Sequence, residues 1–299
     1  MAAKHKLKLL FSRSARKAEA LRGTGLVASV PDRHASGLTR TQEMFLQWNA
    51  ERLGISLEES RRRYADSCAV FPKGHRGRAF DKFNGDFHSV FRVLFEDTPT
   101  EVYETYQFLG PLHFLTFLTY PEPQWASADL IVKEISQRQH VSIMDFGCGL
   151  AQQSRSLAEF LRDQGAQVEL TLADIPTLRA QFLTWWGKKT GIKTQFLPCT
   201  AESPIPQMPA FNVCFAMEFF EHVHDPLTYL EHIDAKLCPG GLLITGIMDH
   251  HAGFTHVSPK LGKLRALVAS RGYEALVPDR ILRKPKDAGR TTGSFLATQ

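Results

Sequence analysis

Two carboxylates and an imidazole lie close together in the stretch Glu218-Phe-Phe-Glu221-His222. Their spacing of i, i+3 and i+4 predicts that a single helical turn presents all three on one side. Carboxylate oxygens and imidazole nitrogens bind divalent cations, and a bound cation orients and acidifies a hydroxyl group. Downstream histidines that could complete such a site are His250, His251 and His256.

The same stretch could also work without a metal. His222 is the first candidate for a catalytic base, because imidazole titrates near neutral pH. The alternative is a hydrogen-bonded structural histidine. His256 is the second catalytic candidate, since the segment that contains it precedes a predicted helix and can lean over the ligand-binding end of the sheet.

A second group of residues is typical of a nucleotide site. Asp145-Phe-Gly147-Cys-Gly149 follows a predicted strand and opens a helix, and glycines there let backbone amides approach a ligand. Asp174 comes directly after the next strand, where a carboxylate can accept both hydroxyls of a ribose. A dinucleotide or S-adenosylmethionine would suit this pattern. The third glycine of a dinucleotide fingerprint is absent, since Gln152 stands there, and the dinucleotide is therefore disfavoured.

Short apolar runs that alternate with amphipathic segments must position these residues, and they predict an open α/β sheet. The strand candidates are residues 141–146, 168–173, 193–198, 211–217 and 242–248. We expect a doubly wound, mostly parallel, Rossmann-like sheet with an N-terminal helical extension. The predicted units are a basic amphipathic head at 1–22, a helical region at 23–123, the ligand-binding domain at 124–285 and a tail at 286–299.

The helical region carries many aromatic residues, which are expected to pack against the sheet or to form a lid on the substrate side. They are Phe80, Phe83, Phe87, Phe91, Phe95, Tyr103, Tyr106 and Phe108. Before them, a helix is predicted to start at Thr41 and end near Gly54, and Ser56 with Glu59 has the spacing of a capping box.

Composition limits the function classes. The chain has 299 residues, 43% of them hydrophobic, and a net charge of +5. Residues 1–22 hold seven basic residues against one acidic residue, so the remainder is close to neutral, unlike a dedicated duplex binder. The head could be a surface helix, an organelle transit peptide or a solvated tail. Five cysteines without a C-x-x-C pair favour reduced thiols, and we expect a cytoplasmic protein with organelle targeting as the alternative.

The chain resembles the class I S-adenosylmethionine-dependent methyltransferases over roughly residues 124–275. Four segments, in the family's order, carry the resemblance: Asp145-x-Gly147-x-Gly149, Leu172-Ala-Asp174-Ile175, Glu218 to Pro226, and Leu237-Cys-Pro-Gly-Gly241. Ala151 replaces the usual third glycine of the first segment, and we expect the helix to have begun there.

The resemblance implies a seven-stranded sheet whose last strand is antiparallel, built partly from residues 273–276 and 281–284. It also implies S-adenosylmethionine as cofactor. The implied cofactor-binding residues are Asp145, Gly147, Gly149, Asp174, Ile175, Thr200, Ala201, Glu202, Met217 and Glu218. Where relatives often have an aspartate that faces the adenine, this chain has Cys199-Thr200-Ala201-Glu202, so any of the last three could serve.

The implied function is O-methylation of a small-molecule biosynthetic intermediate. The Glu-x-x-Glu-His segment with a later histidine is similar to metal-assisted O-methyltransferases, including those of ubiquinone biosynthesis, although related enzymes carry a similar segment without a metal. Two alternatives stay open. One is an RNA or glycan methyltransferase that binds its polymer through the basic head and the clusters Arg61 to Arg63 and Arg76 to Arg78. The other is a non-catalytic scaffold that keeps the fold.

Overall fold

A seven-stranded sheet with helices packed against it forms the centre of the molecule. A computed structural model describes residues 38–70, 98–107, 128–251 and 256–287. The strands run β1 His140–Phe146, β2 Gln167–Asp174, β3 Lys193–Pro198, β4 Phe211–Ala216, β5 Leu237–Thr245, β6 Glu274–Val277 and β7 Ile281–Arg283. Their order in the sheet is β3-β2-β1-β4-β5-β7-β6.

The sheet confirms the predicted topology. Strands β1 to β5 pair in parallel, whereas β7 is antiparallel to both β5 and β6. The strand order reverses between β1 and β4, which is where ligands bind in open α/β sheets, beyond the carboxyl ends of the strands. The residues singled out after β1, β2 and β4 therefore meet at one edge.

Eight helices in the described ranges surround the sheet. They are α1 Arg40–Leu53, α2 Leu57–Val70, α3 at 99–107, α4 Ala128–Ile135, α5 Gln152–Asp163, α6 Leu178–Thr190, α7 Pro226–Lys236 and α8 Gly262–Ser270. Each central strand buries both faces, as parallel strands between two helical layers must. The core on one face centres on Phe182 and Trp186, and that on the other on Phe211 and Phe220.

The N-terminal helices pack onto the sheet domain. Thr39 caps α1 with a capping box, two residues before the predicted start at Thr41, and Gly54 ends the helix in the left-handed conformation, at the predicted position. Trp48 of α1 meets Phe182 of α6 edge-on at 5.7 Å between ring centroids. Arg155 is buried between the two layers, where it donates a 3.0 Å hydrogen bond to the hydroxyl of Thr41.

Two local predictions were wrong. Strand β5 begins at Leu237 and ends at Thr245, so it begins and ends earlier than the predicted strand at 242–248. Ala151 lies before α5 with a φ of 51°, not inside the helix. It thus takes the left-handed conformation that a glycine adopts more easily, at a cost of about 1 kcal/mol.

Several predictions concern residues outside the described ranges. They include the basic head at 1–22, the loop that holds Arg76 to Arg78, the aromatic residues from Phe80 to Phe95 with Phe108, and the tail from 288 onward. Within the described part of the chain, no helix combines the length and the apolar character that a membrane crossing needs.

Candidate active site

The loop after β1 is shaped by two left-handed glycines, Gly147 with φ 62° and Gly149 with φ 54°. A Cβ atom on Gly147 would lie 2.6 Å from the ring of Phe219, closer than carbon atoms pack. Glycine is therefore required there by both the backbone and its neighbour. The Phe219 ring joins this loop to the segment after β4, so the two candidate groups of the sequence lie against each other.

Asp174 closes the other side of the loop. Its carboxylate accepts a 2.7 Å hydrogen bond from the amide of Gly149 and another 2.7 Å bond from the amide of Ile175. The buried guanidinium of Arg179 lies 3.6 Å away. A carboxylate has about four acceptor positions, so two amide bonds leave room for ribose hydroxyls. The structure thus places Gly147, Gly149, Asp174 and Ile175 together.

Asp145 lies below this loop. Its side chain is buried, and it accepts a hydrogen bond from the hydroxyl of Ser154 in the first turn of α5. Burial raises its pKa to about 7. The Asp145 carboxyl therefore ties β1 to the start of α5 and supports the loop from beneath.

The segment after β3 forms a tight turn. The amide of Ser203 donates to the hydroxyl of Thr200, and the amide of Thr200 donates to the carbonyl of Ser203. Ala201 is half-buried and Glu202 is exposed. The amide of Cys199 donates to the carbonyl of Asp174, which holds this turn beside the ribose-side carboxylate. Thr200, Ala201 and Glu202 thus all stay candidates for the adenine contact.

The segment after β4 departs from the predicted helical turn. Met217 is half-buried, and Glu218 is exposed with a left-handed φ of 47°, which ends the strand abruptly. A short 3₁₀ turn, Phe220–His222, follows. The three polar side chains do not form one group. Glu218 lies with Glu221 and His250, whereas His222 lies with Glu221 and His256.

Glu221 is the most unusual side chain of the site. It is fully buried, and neither carboxylate oxygen has a hydrogen-bond partner within the described chain. Burial, with the nearby charge of Glu218, raises its pKa. An unsatisfied buried carboxylate costs several kcal/mol unless a proton or a cation joins it.

Three histidine rings surround Glu221. The Nε2 atoms of His250 and His222 lie 3.6 and 3.8 Å from its Oε1 atom, too far for hydrogen bonds. His256 lies 5.1 Å from each of these rings between centroids. Its Nδ1 atom is 2.9 Å from the carbonyl of His251 and donates there, so Nε2 is the nitrogen that carries the lone pair of the neutral ring. The His250 Nε2 atom is buried without a partner among the described residues.

These side chains fit a divalent cation. In each of two groups, Glu221 with His222 and His256, and Glu218 with Glu221 and His250, one ligand atom per residue lies within 4.8 Å of the others. Glu221 belongs to both groups, and its unpaired oxygens are the atoms that a cation would satisfy. His251 is exposed and contributes its carbonyl to His256.

Comparison with known proteins addresses the same part of the chain. A family model described as "Methyltransferase domain" matches residues 122–263. The match agrees with the class I S-adenosylmethionine-dependent methyltransferase resemblance seen in the sequence. The match contains the loop after β1, Asp174 and the Glu221 group, so the candidate site described above lies within the matched methyltransferase domain.

Curated relatives match the methyltransferase domain at modest identity. The chain is similar to a ubiquinone biosynthesis O-methyltransferase of Colwellia psychrerythraea, 33% identical over 140 residues that cover 46% of this chain and 51% of that protein. A protein of the same name from Cereibacter sphaeroides is 30% identical over 112 residues, which cover 36% of this chain and 42% of that protein. The chain thus spans about half the length of the relatives it matches.

A solved structure is also similar. Coclaurine N-methyltransferase bound to N-methylheliamine and SAH has a TM-score of 0.38 and 15% identity, over 62% of this chain and 57% of that one.

Two residues near the site were missed by the sequence analysis. Arg179, in the first turn of α6, is buried beside Asp174, and nothing in its spacing signalled this. Tyr106 of α3 contacts His222 of the methyltransferase domain, with 3.0 Å between its hydroxyl and the Nδ1 atom. The sequence predicts only an aromatic role for Tyr106, because a contact across 116 positions leaves no local pattern.

Proposed function

We propose that this protein transfers the methyl group of S-adenosylmethionine to a hydroxyl of a small-molecule biosynthetic intermediate. The observation that carries the proposal is the buried Glu221 carboxylate among His222, His250 and His256, on the segment whose Phe219 ring meets the loop of Gly147. A hydroxyl must lose a proton during methyl transfer, and this group offers acceptors for it. The names of the curated relatives agree with an oxygen acceptor.

On the cofactor side, each residue has a defined task. Asp174 would accept the ribose hydroxyls, because its two amide bonds fix its orientation and leave acceptor positions open. The left-handed Gly147 and Gly149 would let the methionine part approach the backbone. Asp145 would hold the loop through Ser154 without touching the ligand.

On the acceptor side, methyl transfer is an in-line displacement. The sulfur–methyl bond breaks as the oxygen–methyl bond forms, and the hydroxyl proton leaves to the protein. His222 would take this proton at Nε2, the nitrogen that faces Glu221. His256 would be the second acceptor, since its Nδ1 atom is held by the His251 carbonyl and its Nε2 atom carries the lone pair.

A divalent cation would fit between Glu221 and these histidines. When bound, it would lower the pKa of the acceptor hydroxyl and compensate the buried carboxylate. Glu221 would be the shared ligand, with His222 and His256 on one side and His250 and Glu218 on the other.

A polymer substrate is less well supported. The Arg61 to Arg63 cluster is engaged in ion pairs with Glu43, Glu59 and Asp66, and Glu59 accepts from both Arg62 and Arg63. Arginines neutralised in this way have little charge left for a phosphate backbone.

Methyl transfer is tested with isotope-labelled S-adenosylmethionine and three acceptor classes: small polyhydroxylated aromatics such as 3,4-dihydroxybenzoate, bulk tRNA, and oligosaccharides. We expect label in the small-molecule fraction, on oxygen by mass spectrometry. Label in RNA or glycan, with binding that weakens steeply as salt rises, would replace the proposal with the polymer alternative. Cofactor binding with no transfer to any class would favour the scaffold.

The cation is tested separately by titrating Mn²⁺ into the metal-free protein, with Glu221→Gln beside Glu231→Gln as the matched control. Glu231 is exposed on α7. We expect Glu221→Gln to weaken Mn²⁺ binding at least 10-fold and the control to leave it unchanged. Equal affinities in the wild type and Glu221→Gln would remove Glu221 as a ligand.

A further inference from the structure

Arg155 is a buried cation in the first turn of α5 that the proposed methyl transfer does not use. A buried guanidinium destabilises a fold unless its N–H groups meet acceptors. The side chain lies against two buried aromatic rings, with its Cζ atom 5.4 Å from the ring centres of both Phe182 and Trp186. Cation–π contacts of this kind compensate part of the lost hydration and hold the guanidinium in place. From this position its N–H groups reach two different parts of the chain.

One of these N–H groups holds the loop after β1. The Nε atom of Arg155 donates a 2.8 Å hydrogen bond to the carbonyl of Leu150. The next residue is Ala151, whose left-handed φ of 51° is strained for a residue with a side chain and persists only where its surroundings hold it. The residue before is Gly149, whose amide donates to Asp174. The Arg155 bond therefore fixes the backbone between the strained residue and the amide that orients the ribose-side carboxylate.

Another N–H group reaches helix α1, which lies outside the matched residues 122–263. The Nη2 atom of Arg155 donates a 3.0 Å hydrogen bond to the buried hydroxyl of Thr41, in the first turn of α1. The direction of both bonds is fixed, because a guanidinium has donors and no acceptor. One rigid, planar group thus joins Thr41 of α1 to the Leu150 carbonyl of the loop.

We propose that Arg155 is a positioning residue that couples the docking of α1 to the shape of the loop after β1, so that α1 supports cofactor binding from outside the matched domain. The inference rests on the proposed function for the identity of the ligand, S-adenosylmethionine. Coupling of this kind is reciprocal. If docked α1 favours the loop shape that binds the cofactor, then bound cofactor strengthens the docking of α1.

The first test is calorimetric titration of full-length variants with S-adenosylhomocysteine. Arg155→Met removes both hydrogen bonds and keeps an apolar chain between the rings, Thr41→Val removes only the bond to α1, and Thr41→Ser restores a hydroxyl. The control is Arg40→Gln, which breaks a different contact between α1 and α5, the 3.0 Å ion pair with Glu159. We expect affinity to fall about 10-fold in Arg155→Met and about 3-fold in Thr41→Val, and to change by less than about 2-fold in Thr41→Ser and Arg40→Gln.

The second test is amide hydrogen exchange in α1, which reports the docking of the helix without any measurement of turnover. We expect S-adenosylhomocysteine to slow exchange over Arg40–Leu53 in the wild type and in Arg40→Gln, and to leave it unchanged in Arg155→Met. If Arg155 served the fold alone, its loss would change exchange without ligand but would leave the effect of the ligand intact.

Three results would overturn the proposal: wild-type affinity in both Arg155→Met and Thr41→Val, a loss in Arg40→Gln as large as that in Thr41→Val, or exchange in wild-type α1 that the ligand does not change. If Arg155→Met does not fold, the comparison of Thr41→Val with Thr41→Ser decides the outcome. Wild-type protein that binds no S-adenosylhomocysteine would contradict the proposed function as well, whereas wild-type binding that the variants leave unchanged contradicts this inference alone.

Discussion

The two halves of the ligand-binding edge differ in how their polar atoms are satisfied. After β1 and β2, the Asp174 carboxylate already holds two amide donors, and Asp145 holds Ser154. After β4, Glu221 is more deeply buried than Asp174 and has no hydrogen-bond partner for either oxygen in the described structure. The carboxylates of the first half therefore have hydrogen-bond partners within the protein, whereas the Glu221 carboxylate of the second half has none among the described residues.

This difference indicates different tasks. A prearranged carboxylate with fixed amides binds a ligand of constant shape without reorganisation, as a cofactor requires. A buried carboxylate without hydrogen-bond partners, among imidazoles, is stabilised when a proton or a cation comes close to it. Such a group suits proton removal or cation binding. Substitutions in the first half should therefore change cofactor affinity, and those in the second should change turnover.

The largest expected effect belongs to the second half. His222→Ala should lower kcat at least 100-fold, the usual size of a lost acid–base group, and leave affinity for S-adenosylhomocysteine within 2-fold. The control is His232→Ala, an exposed histidine of α7. Steady-state kinetics and calorimetry check both values, and an unchanged kcat in His222→Ala would refute the assigned role.

The converse effect is expected for Asp174. Asp174→Ala should weaken S-adenosylhomocysteine binding by about 1–3 kcal/mol, the scale of a hydrogen bond to a charged group. Asp163→Ala, which removes an exposed carboxylate at the end of α5, should have no effect. Calorimetric affinities equal to the wild type in both variants would exclude Asp174 as a cofactor ligand.

Two glycines allow the cost of backbone strain to be compared with the cost of a steric clash. Gly147 and Gly165 both have a positive φ, but an added Cβ meets Phe219 at the first position and nothing within 4 Å at the second. Gly165→Ala should lower the free energy of unfolding by about 1 kcal/mol through backbone strain alone. Gly147→Ala should cost more, about 2–3 kcal/mol, because it adds a steric clash. Equal costs in urea unfolding would show that Phe219 moves aside freely.

The last effect concerns Asp145 and the pH dependence of stability. The folded protein retains its carboxyl proton up to about pH 7, whereas the unfolded chain releases it in the ordinary carboxyl range. Stability from this group is therefore fully present at low pH and is lost as the pH rises toward 7. Asp145→Asn should flatten the decline of unfolding free energy between pH 5 and pH 7 by about 1–2 kcal/mol. Parallel curves for the two proteins would contradict the raised pKa.

Much of the first half could be predicted from the sequence. Its signals are local: an apolar strand, two glycines, and an acid directly after the next strand. The seven strands and the antiparallel last strand of the sheet followed from the family resemblance. Ala151 shows the limit, since its left-handed backbone is set by the loop and not by the residue's own preference.

For the second half, the sequence predicted which residues take part but not how they are arranged. The spacing of Glu218, Glu221 and His222 suggested a helical turn, yet the left-handed Glu218 separates its side chain from His222. The burial of Glu221 without a hydrogen-bond partner in the described structure depends on how several segments of the chain pack together. The contact of Tyr106 with His222 joins residues 116 positions apart, and no periodicity encodes it.

Calorimetric titration of the purified protein with S-adenosylhomocysteine, alongside NAD⁺, tests most directly whether the edge between β1 and β4 is an adenosyl-sulfonium site. We expect one saturable site for S-adenosylhomocysteine, weakened in Asp174→Ala, and no heat from NAD⁺. Saturable NAD⁺ binding that Asp174→Ala abolishes, or no binding of S-adenosylhomocysteine at all, would contradict the account.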